Sequence, residues 1–493
     1  LSASLQQAAP APQGMRRIPF TTESYQHPSL PVSAKQLLNL YVEQAPDDAR
    51  SQAVLMSTPG TVPYLTLGAG PIQAENSDLP GRWYFVSGTH FFRVSFLPTG
   101  RVIDDLGDIG TPVAGEIPDY DLFYTIAVSP TAVVVCVPPN AFTASHTPGD
   151  PINQIGGTFP GASNVTQNDL YFVFTSYSSN PNFFISRIND PTMFDALDFA
   201  NSDAVPNNLR TVVGHRGDLW LMGNAGVEVW YDSGDLNFPY RRRPGGVIPH
   251  GVATAPSVAT GDGSVFWVGA DDIIYRSDGY HAKRISTHAI EVAVTRATGA
   301  RPGAFNLVTA FTYIRDGHTF YCLNLPDTSL IYDCATDKWH ERASAADGSG
   351  HWRPRGIVHV LDEVFFTDSQ SNQIAQLYPD APTEFSALLL RQVILPPLWA
   401  GTNRAFCHRL EIEMETGGAA TMQAGDVLLD WSDDGGWTWT GGPRTMSVGT
   451  VGQRRKRVFT TRLGSFRQRV FRITATGWVT LYGVDAYITG GAS

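Results

Sequence analysis

The sequence predicts an all-β protein: a β-propeller of six or seven blades over 51–385, then a smaller β-sandwich-like platform domain over 386–493. Three observations predict it. The chain carries 47 glycines and 34 prolines in 493 residues, more breakers than a long helical bundle tolerates. From about 80 to 380, apolar runs alternate with Gly, Asp, Asn or Pro turns at roughly the 40–50-residue period of a four-stranded blade. After about 385 that rhythm gives way to strict two-residue alternation.

Residues 1–50 are expected as an extended N-terminal arm that packs on the C-terminal domain or on a neighbouring subunit. The opening LSASLQQAAPAPQG has no periodic apolar pattern, and Met15-Arg16-Arg17 reads as a conventional start. Only 33–44 has helical spacing, and 39–43 within it reads equally well as a strand. Seven apolar runs follow, at 82–86, 132–137, 170–174, 218–222, 265–268, 319–322 and 364–366. Several are trailed by a second strand and an Asp-containing turn, as at 227–232, 273–278 and 330–333. A string of β-sandwich domains is the alternative architecture. Beyond 385, Leu410-Glu411-Ile412-Glu413-Met414-Glu415 alternates, placing Leu410, Ile412 and Met414 on a core face and three carboxylates opposite. Arg467 and Arg469 are the expected cross-strand partners of those carboxylates.

At 42 % hydrophobic and 11 % aromatic the chain can fill a sizeable core, which excludes wholesale disorder. The longest apolar run, 132–137, is strand-length and far short of the ~20 residues of a membrane-spanning helix. No basic-then-apolar leader is visible, so secretion by a cleaved leader is not expected. Cys136, Cys322, Cys334 and Cys407 are too scattered for a disulfide framework or zinc site and read as core thiols of a reducing compartment.

The net charge of −11 hides a split. Between Asp434 and Asp485 there is no acidic residue, but Arg444, Arg454, Arg455, Lys456, Arg457, Arg462, Arg467, Arg469 and Arg472 all fall there. An acidic body with one basic region argues against a general duplex-DNA binder. It fits a subunit that docks a charged partner through one surface. A second candidate contact is the Tyr240–Gly246 stretch, read as an inter-blade loop exposing Arg241, Arg242 and Arg243.

No chemistry of bond-breaking is legible. The chain lacks GxxxxGK[ST], HExxH, GxSxG and CxxC, and its twelve histidines never fall at i, i+4 on a plausible helix face. Alternate carboxylates on a strand lie about 7 Å apart, within glycosidase range, but any half-exposed strand shows the same spacing. Catalytic, cofactor and metal residues are therefore assigned as none, and no small-molecule substrate is expected. One motif stands out: Ser432-Asp433-Asp434-Gly435-Gly436-Trp437-Thr438-Trp439 matches the Asp-box pattern S-x-D-x-G-x-T-W. Physically it is a hairpin turn in which the carboxylate of Asp434 accepts backbone N–H groups, Gly436 supplies an unusual φ, and Ser432, Thr438 and Trp439 complete the packing.

Ordered through the chain, these features resemble the packaged-DNA stabilisation proteins of short-tailed phages, the tail hub or nozzle family. The carriers begin with Ser57-Thr58-Pro59-Gly60, Leu65-Thr66-Leu67-Gly68 and Gly226-Val227-Glu228-Val229-Trp230-Tyr231-Asp232-Ser233-Gly234 before Phe238-Pro239-Tyr240. Gly279-Tyr280, Arg284-Ile285-Ser286-Thr287-His288, Tyr332-Asp333 and Lys338-Trp339-His340-Glu341-Arg342 come next. His408-Arg409-Leu410-Glu411, Met414-Glu415-Thr416-Gly417, the Trp431–Trp439 stretch and Arg455 to Arg472 close the series. The resemblance implies a homo-hexameric tube below a head-to-tail adaptor ring. Duplex DNA would pass through without sequence-specific binding, tail fibres or tailspikes would dock outside, and the protein would reside in the virion tail after assembly in the host cytoplasm. Six acidic copies would give the channel a negative wall that repels phosphate. Within that picture Arg454, Arg455, Lys456, Arg457, Arg462, Arg467, Arg469 and Arg472 are expected at a subunit or adaptor interface. The alternatives are an Asp-box propeller lectin or glycosidase and a peptide-binding propeller scaffold.

Overall fold

The structure is a computed structural model that describes residues 14–491 except 47, 49–50, 69, 79–80, 98–99, 114–121, 179–180, 196, 205–207, 236, 300–307, 361–362, 380 and 419–425. Nearly all regular structure is strand, and the chain divides into two compact units. One comprises Thr61–Asp337 and Gly350–Leu377; the other comprises Leu1–Gly60, Lys338–Ser349 and Tyr378–Ser493.

The first unit is a β-propeller. Six antiparallel sheets of four strands form complete blades. Five run consecutively through 72–108, 125–154, 162–201, 209–248 and 259–284, and the sixth joins Pro354–Val360, Glu363–Asp368 and Gln373–Tyr378 to Gly60–Thr66. A meander of Thr309–Arg315, His318–Asn324 and Ser329–Asp333 packs between the last two of these sheets and completes the ring. The strand Gly60–Thr66, which precedes the first complete sheet in the chain, closes the ring with the end of the unit; Leu67 N–H bonds Asn372 C=O at 2.9 Å.

Each of the seven apolar runs is the second strand of its sheet. Neighbouring sheets cover both faces of that strand, so its side chains have no solvent face and it reads as an unbroken apolar run. All six residues of Ala132–Val137 are buried, as are all five of Ser264–Val268. Outermost strands face water, and Asn153–Gln154 and His281–Arg284 are correspondingly short and polar.

The second unit stacks two sheets. One runs Leu40–Gln44, Ala53–Ser57, Thr480–Gly490, Ala405–Met414, Val458–Thr461, with Gly14–Arg17 added along Thr480–Gly490. The other carries Ala34–Leu38, Arg391–Ile394, Gln468–Ala475, Val427–Ser432 and Arg444–Met446 in that order. Leu37, Val393, Leu429, Phe471 and Ile473 from one sheet meet Leu55, Leu410, Ile412, Leu481 and Val484 from the other in a single core.

Three features depart from the sequence reading. Residues 14–44 contribute the strands Gly14–Arg17, Tyr25–Gln26, Ala34–Leu38 and Leu40–Gln44 to the sandwich unit, so the segment is not helical and the strand reading of 39–43 is the one that matches. Asn39, at φ 55°, ends one strand and begins the next, so Ala34–Leu38 and Leu40–Gln44 enter opposite sheets. Leu37 and Leu40 bury in the same core from two sides, which imitates helical spacing. The buried Asn39 amide holds the switch, donating to Leu390 C=O at 2.7 Å and Ala343 C=O at 3.0 Å. An α-helix lies instead at His288–Gly299, where Arg284 pairs with Glu291 of the first turn at 2.6 Å. The compact-unit boundary also falls differently, because 338–349 and 378–385 belong with the sandwich.

Candidate interaction surfaces

The basic block of the sandwich unit divides into two populations. Arg469 and Arg472 lie on Gln468–Ala475, a strand inside its sheet. Arg469 is buried, gripping Asp433 through Nε at 2.6 Å and Nη2 at 2.7 Å, and its guanidinium stacks 4.7 Å from the Phe466 ring centroid. Arg472 bonds Asp430 at 2.6 Å and lies 4.1 Å over Trp439. Both are spent inside the unit, which corrects their assignment as interface candidates. They also do not face the carboxylates of the alternating strand, because those lie in the other sheet. Glu411 is held by Arg457 at 2.6 and 2.7 Å and by Arg409 at 3.0 Å, and Glu413 by Arg17 at 2.6 Å. The Arg457 and Arg409 guanidinium groups keep the Glu411 carboxyl below its ordinary value. Leu410 and Ile412 are buried and Met414 packs on the same core, as the alternation requires.

The other population is exposed. Arg454, Arg455, Lys456, Arg462 and Arg467 have no carboxylate within ion-pair distance among the described residues. Arg454–Lys456 occupy a turn that leads into the edge strand Val458–Thr461. The turn is fixed by its own backbone. Gln453 N–H bonds Thr450 C=O at 3.0 Å, Gly452 N–H bonds Gly417 C=O at 2.9 Å, and the Thr416 hydroxyl donates to Gln453 C=O at 3.0 Å. Gly417 has φ 79°, and a Cβ there would sit 2.8 Å from Arg454 N, so only glycine lets the two segments touch. The result is an exposed cationic turn beside the exposed Val451.

The Asp-box turn has the geometry its sequence implies. Asp434 Oδ1 accepts the N–H of Trp437 at 3.0 Å and of Thr438 at 2.9 Å, and the hydroxyls of Ser432 and Thr438 donate to its carboxylate at 2.6 and 2.5 Å. Gly436 adopts φ 111°. Those hydroxyl and amide donors hold the Asp434 carboxyl well below the usual carboxylate range. The Asp434 carboxylate and the Ser432 and Thr438 hydroxyls are engaged in holding the loop, and Arg469 binds Asp433. Its position makes it a structural corner of the sandwich.

Arg241–Arg243 are not a loop. They begin Tyr240–Ile248, the outermost strand of the fourth blade. Arg241 pairs with Asp235 at 2.5 Å, Arg242 with Asp203 at 3.4 Å, and Arg243 with Asp218 while stacking near Tyr231 and Tyr280. Tyr240 is buried and anchors the strand, so the alternation of strand geometry, not a turn, presents the arginines.

Sequence reasoning passed over the propeller axis, where Gln73, Glu75, Tyr124 and Arg355 line one cavity. Their positions, scattered over nearly three hundred residues, show no spacing signal. Among the described residues no group of three or more His, Cys, Asp or Glu could hold a metal ion, and no helix is long and apolar enough to cross a membrane.

Two family models match the chain in series. One, described as bacteriophage P22 Gp10, beta-propeller, matches 37–381, and the other, bacteriophage P22 Gp10, beta-sandwich, matches 391–489. No curated protein matches. Solved structures with similar folds include the WD40 propeller of Doa1 (8 % identity, TM-score 0.41, covering 66 % of this chain and 100 % of that one). The computationally designed Ika8 protein (12 %, TM-score 0.38, covering 64 % and 99 %) and the N-terminal domain of Nup159 (10 %, TM-score 0.38, covering 69 % and 98 %) are further examples.

Proposed function

Because the chain belongs to the bacteriophage P22 Gp10 family of phage tail hub proteins, a structural component of the virion, we propose that six copies close into a ring that continues the DNA channel below a head-to-tail adaptor. Such a ring closes through heterologous contacts, in which one surface of each copy meets a different surface of the next. The observation that carries this reading is the paired match, propeller followed by sandwich, over most of the chain. The exposed projection Arg454–Arg455–Lys456, with no acidic partner of its own and a net charge of −11 on the whole chain, supplies a contact for an acidic surface of the neighbouring copy or of the adaptor. The overall negative charge lets duplex DNA slide past the wall instead of adhering, since affinity for phosphate comes from Lys and Arg. Outer faces of the propeller would receive fibres or tailspikes, and assembly would take place in the host cytoplasm.

The test is the size and symmetry of the purified protein, by light scattering and negative-stain imaging, alone and with the adaptor ring. A six-fold ring is expected, and Arg454→Glu with Arg455→Glu should lower ring or adaptor occupancy while the circular dichroism spectrum stays that of the wild type. A protein that stays monomeric with and without adaptor, or a double variant that assembles like the wild type, would count against the assignment.

A further inference from the structure

The innermost strands of the propeller unit surround a cavity of about 280 Å³. Its wall is largely threonine, asparagine and small apolar side chains; Glu75, Tyr124 and Arg355 are its ionisable groups among the described residues. Strands Ile72–Asp78 and Pro354–Val360 are neighbours at the axis, and each carries a bulge at its second residue. The register slips between Ile72 and Ala74 in one and between Pro354 and Gly356 in the other. A bulged residue leaves the ladder and its side chain is re-aimed. The two residues are Gln73 and Arg355, and both line the cavity.

Neither side chain donates a hydrogen bond to, or lies within ion-pair distance of, any described residue. Glu75, the one carboxylate among the described wall residues, attracts Arg355 through its charge but forms no ion pair with it. It accepts the Thr367 hydroxyl at 3.2 Å and lies against Gly356, where a Cβ would be 1.6 Å from its Oε1. The guanidinium of Arg355 thus offers its donors, and Gln73 its amide, to the space between the blades. A cation in a partly enclosed wall whose guanidinium finds no hydrogen-bond acceptor is costly, and an anion that accepts those donors relieves the cost.

We propose that the axial cavity is a binding site for a small oxyanion, held by Arg355 and Gln73. The volume admits a sulfate- or phosphate-sized ion with a few waters and excludes a nucleic-acid duplex. Glu75 makes the site sensitive to pH. Burial pushes its carboxyl up to about 7, so it is mostly neutral at pH 6 and mostly ionised at pH 8. Tyr124, pushed up to about 12 by burial, stays neutral across that range. The wall is therefore net positive at pH 6, and at pH 8 the Glu75 charge cancels that of Arg355. If the anion needs the protonated form, apparent affinity falls about tenfold between those pH values.

The probe is sulfate, whose charge is constant over this range, titrated calorimetrically into the full chain at fixed ionic strength. One saturable site is expected, weaker at pH 8 by about tenfold, absent in Arg355→Gln and unchanged in Arg454→Gln with Arg455→Gln. Should Arg355→Gln fail to fold, Gln73→Ala serves in its place with a partial loss of affinity, and the pH comparison needs no variant. Absence of saturable binding, affinity independent of pH, or loss confined to the Arg454/Arg455 variant would each overturn the proposal.

Discussion

Replacing Glu384 by glutamine should destabilise the sandwich unit more than any surface change in this protein. Glu384, Arg342 and Arg391 are all essentially inaccessible to solvent. Arg342 donates to Glu384 at 3.2 Å and to Pro59 C=O at 2.9 Å, and the Ser344 hydroxyl donates to the other carboxylate oxygen. Arg391 donates to Thr58 C=O at 3.1 Å, and burial together with the like charge of Arg342 pulls its guanidinium down to about 9. Among the described residues Glu384 is the carboxylate that meets both cations. A neutral amide of the same shape keeps an acceptor for Arg342 but leaves two cations facing each other out of water. Breaking a buried pair by removing one partner costs about 3–5 kcal/mol. The retained acceptor places Glu384→Gln near ~3 kcal/mol, which for a unit of this size lowers Tm by roughly 6–12 °C. Scanning calorimetry measures it. Adding Arg342→Met to Glu384→Gln removes one of the two stranded charges and the repulsion between them, so the double variant should be more stable than the sum of the two single losses predicts. Strict additivity, or a loss under about 1 kcal/mol for Glu384→Gln, would refute the reasoning.

Two further outcomes are expected. Asp434→Ala should loosen the Ser432–Trp439 turn and lower the Tm of the sandwich unit; because the folded carboxyl titrates below its unfolded value, its contribution is present above about pH 4 and lost as pH falls further, so wild type and variant should converge in acid. Gly417→Val should cost about 1–3 kcal/mol through a forced left-handed backbone and a collision with Arg454 N, and amide exchange at 449–457 should quicken while the propeller is unaffected.

Much of the fold was legible because propeller strands differ in burial. The second strand of each sheet is covered on both faces and cannot avoid an apolar run, so all seven runs mark one strand each. The Asp-box was legible for another reason: the hydrogen bonds of its Asp434 close within the eight residues of Ser432–Trp439, and local chemistry is written in local sequence. The 33–44 segment stayed open between helix and strand because the spacing of Leu37, Leu38, Leu40 and Tyr41 suits a helix, and nothing local shows that Asn39 sends the chain from one sheet to another.

Charge was the least legible property. Residue order alone shows that basic residues crowd 444–472, that the rest is acidic, and that strands of two kinds follow one another. It took the folded chain to show that Arg469 and Arg472 brace the Asp-box corner, that Arg457 answers Glu411, and that Arg454–Lys456 meet no carboxylate among the described residues. The fold also sets Gln73 and Arg355, far apart in the chain, on one wall. The reason is physical: apolar patterning follows the two-residue period of a strand and is local, whereas an ion pair needs only proximity in space, which sheet order and register set over hundreds of residues.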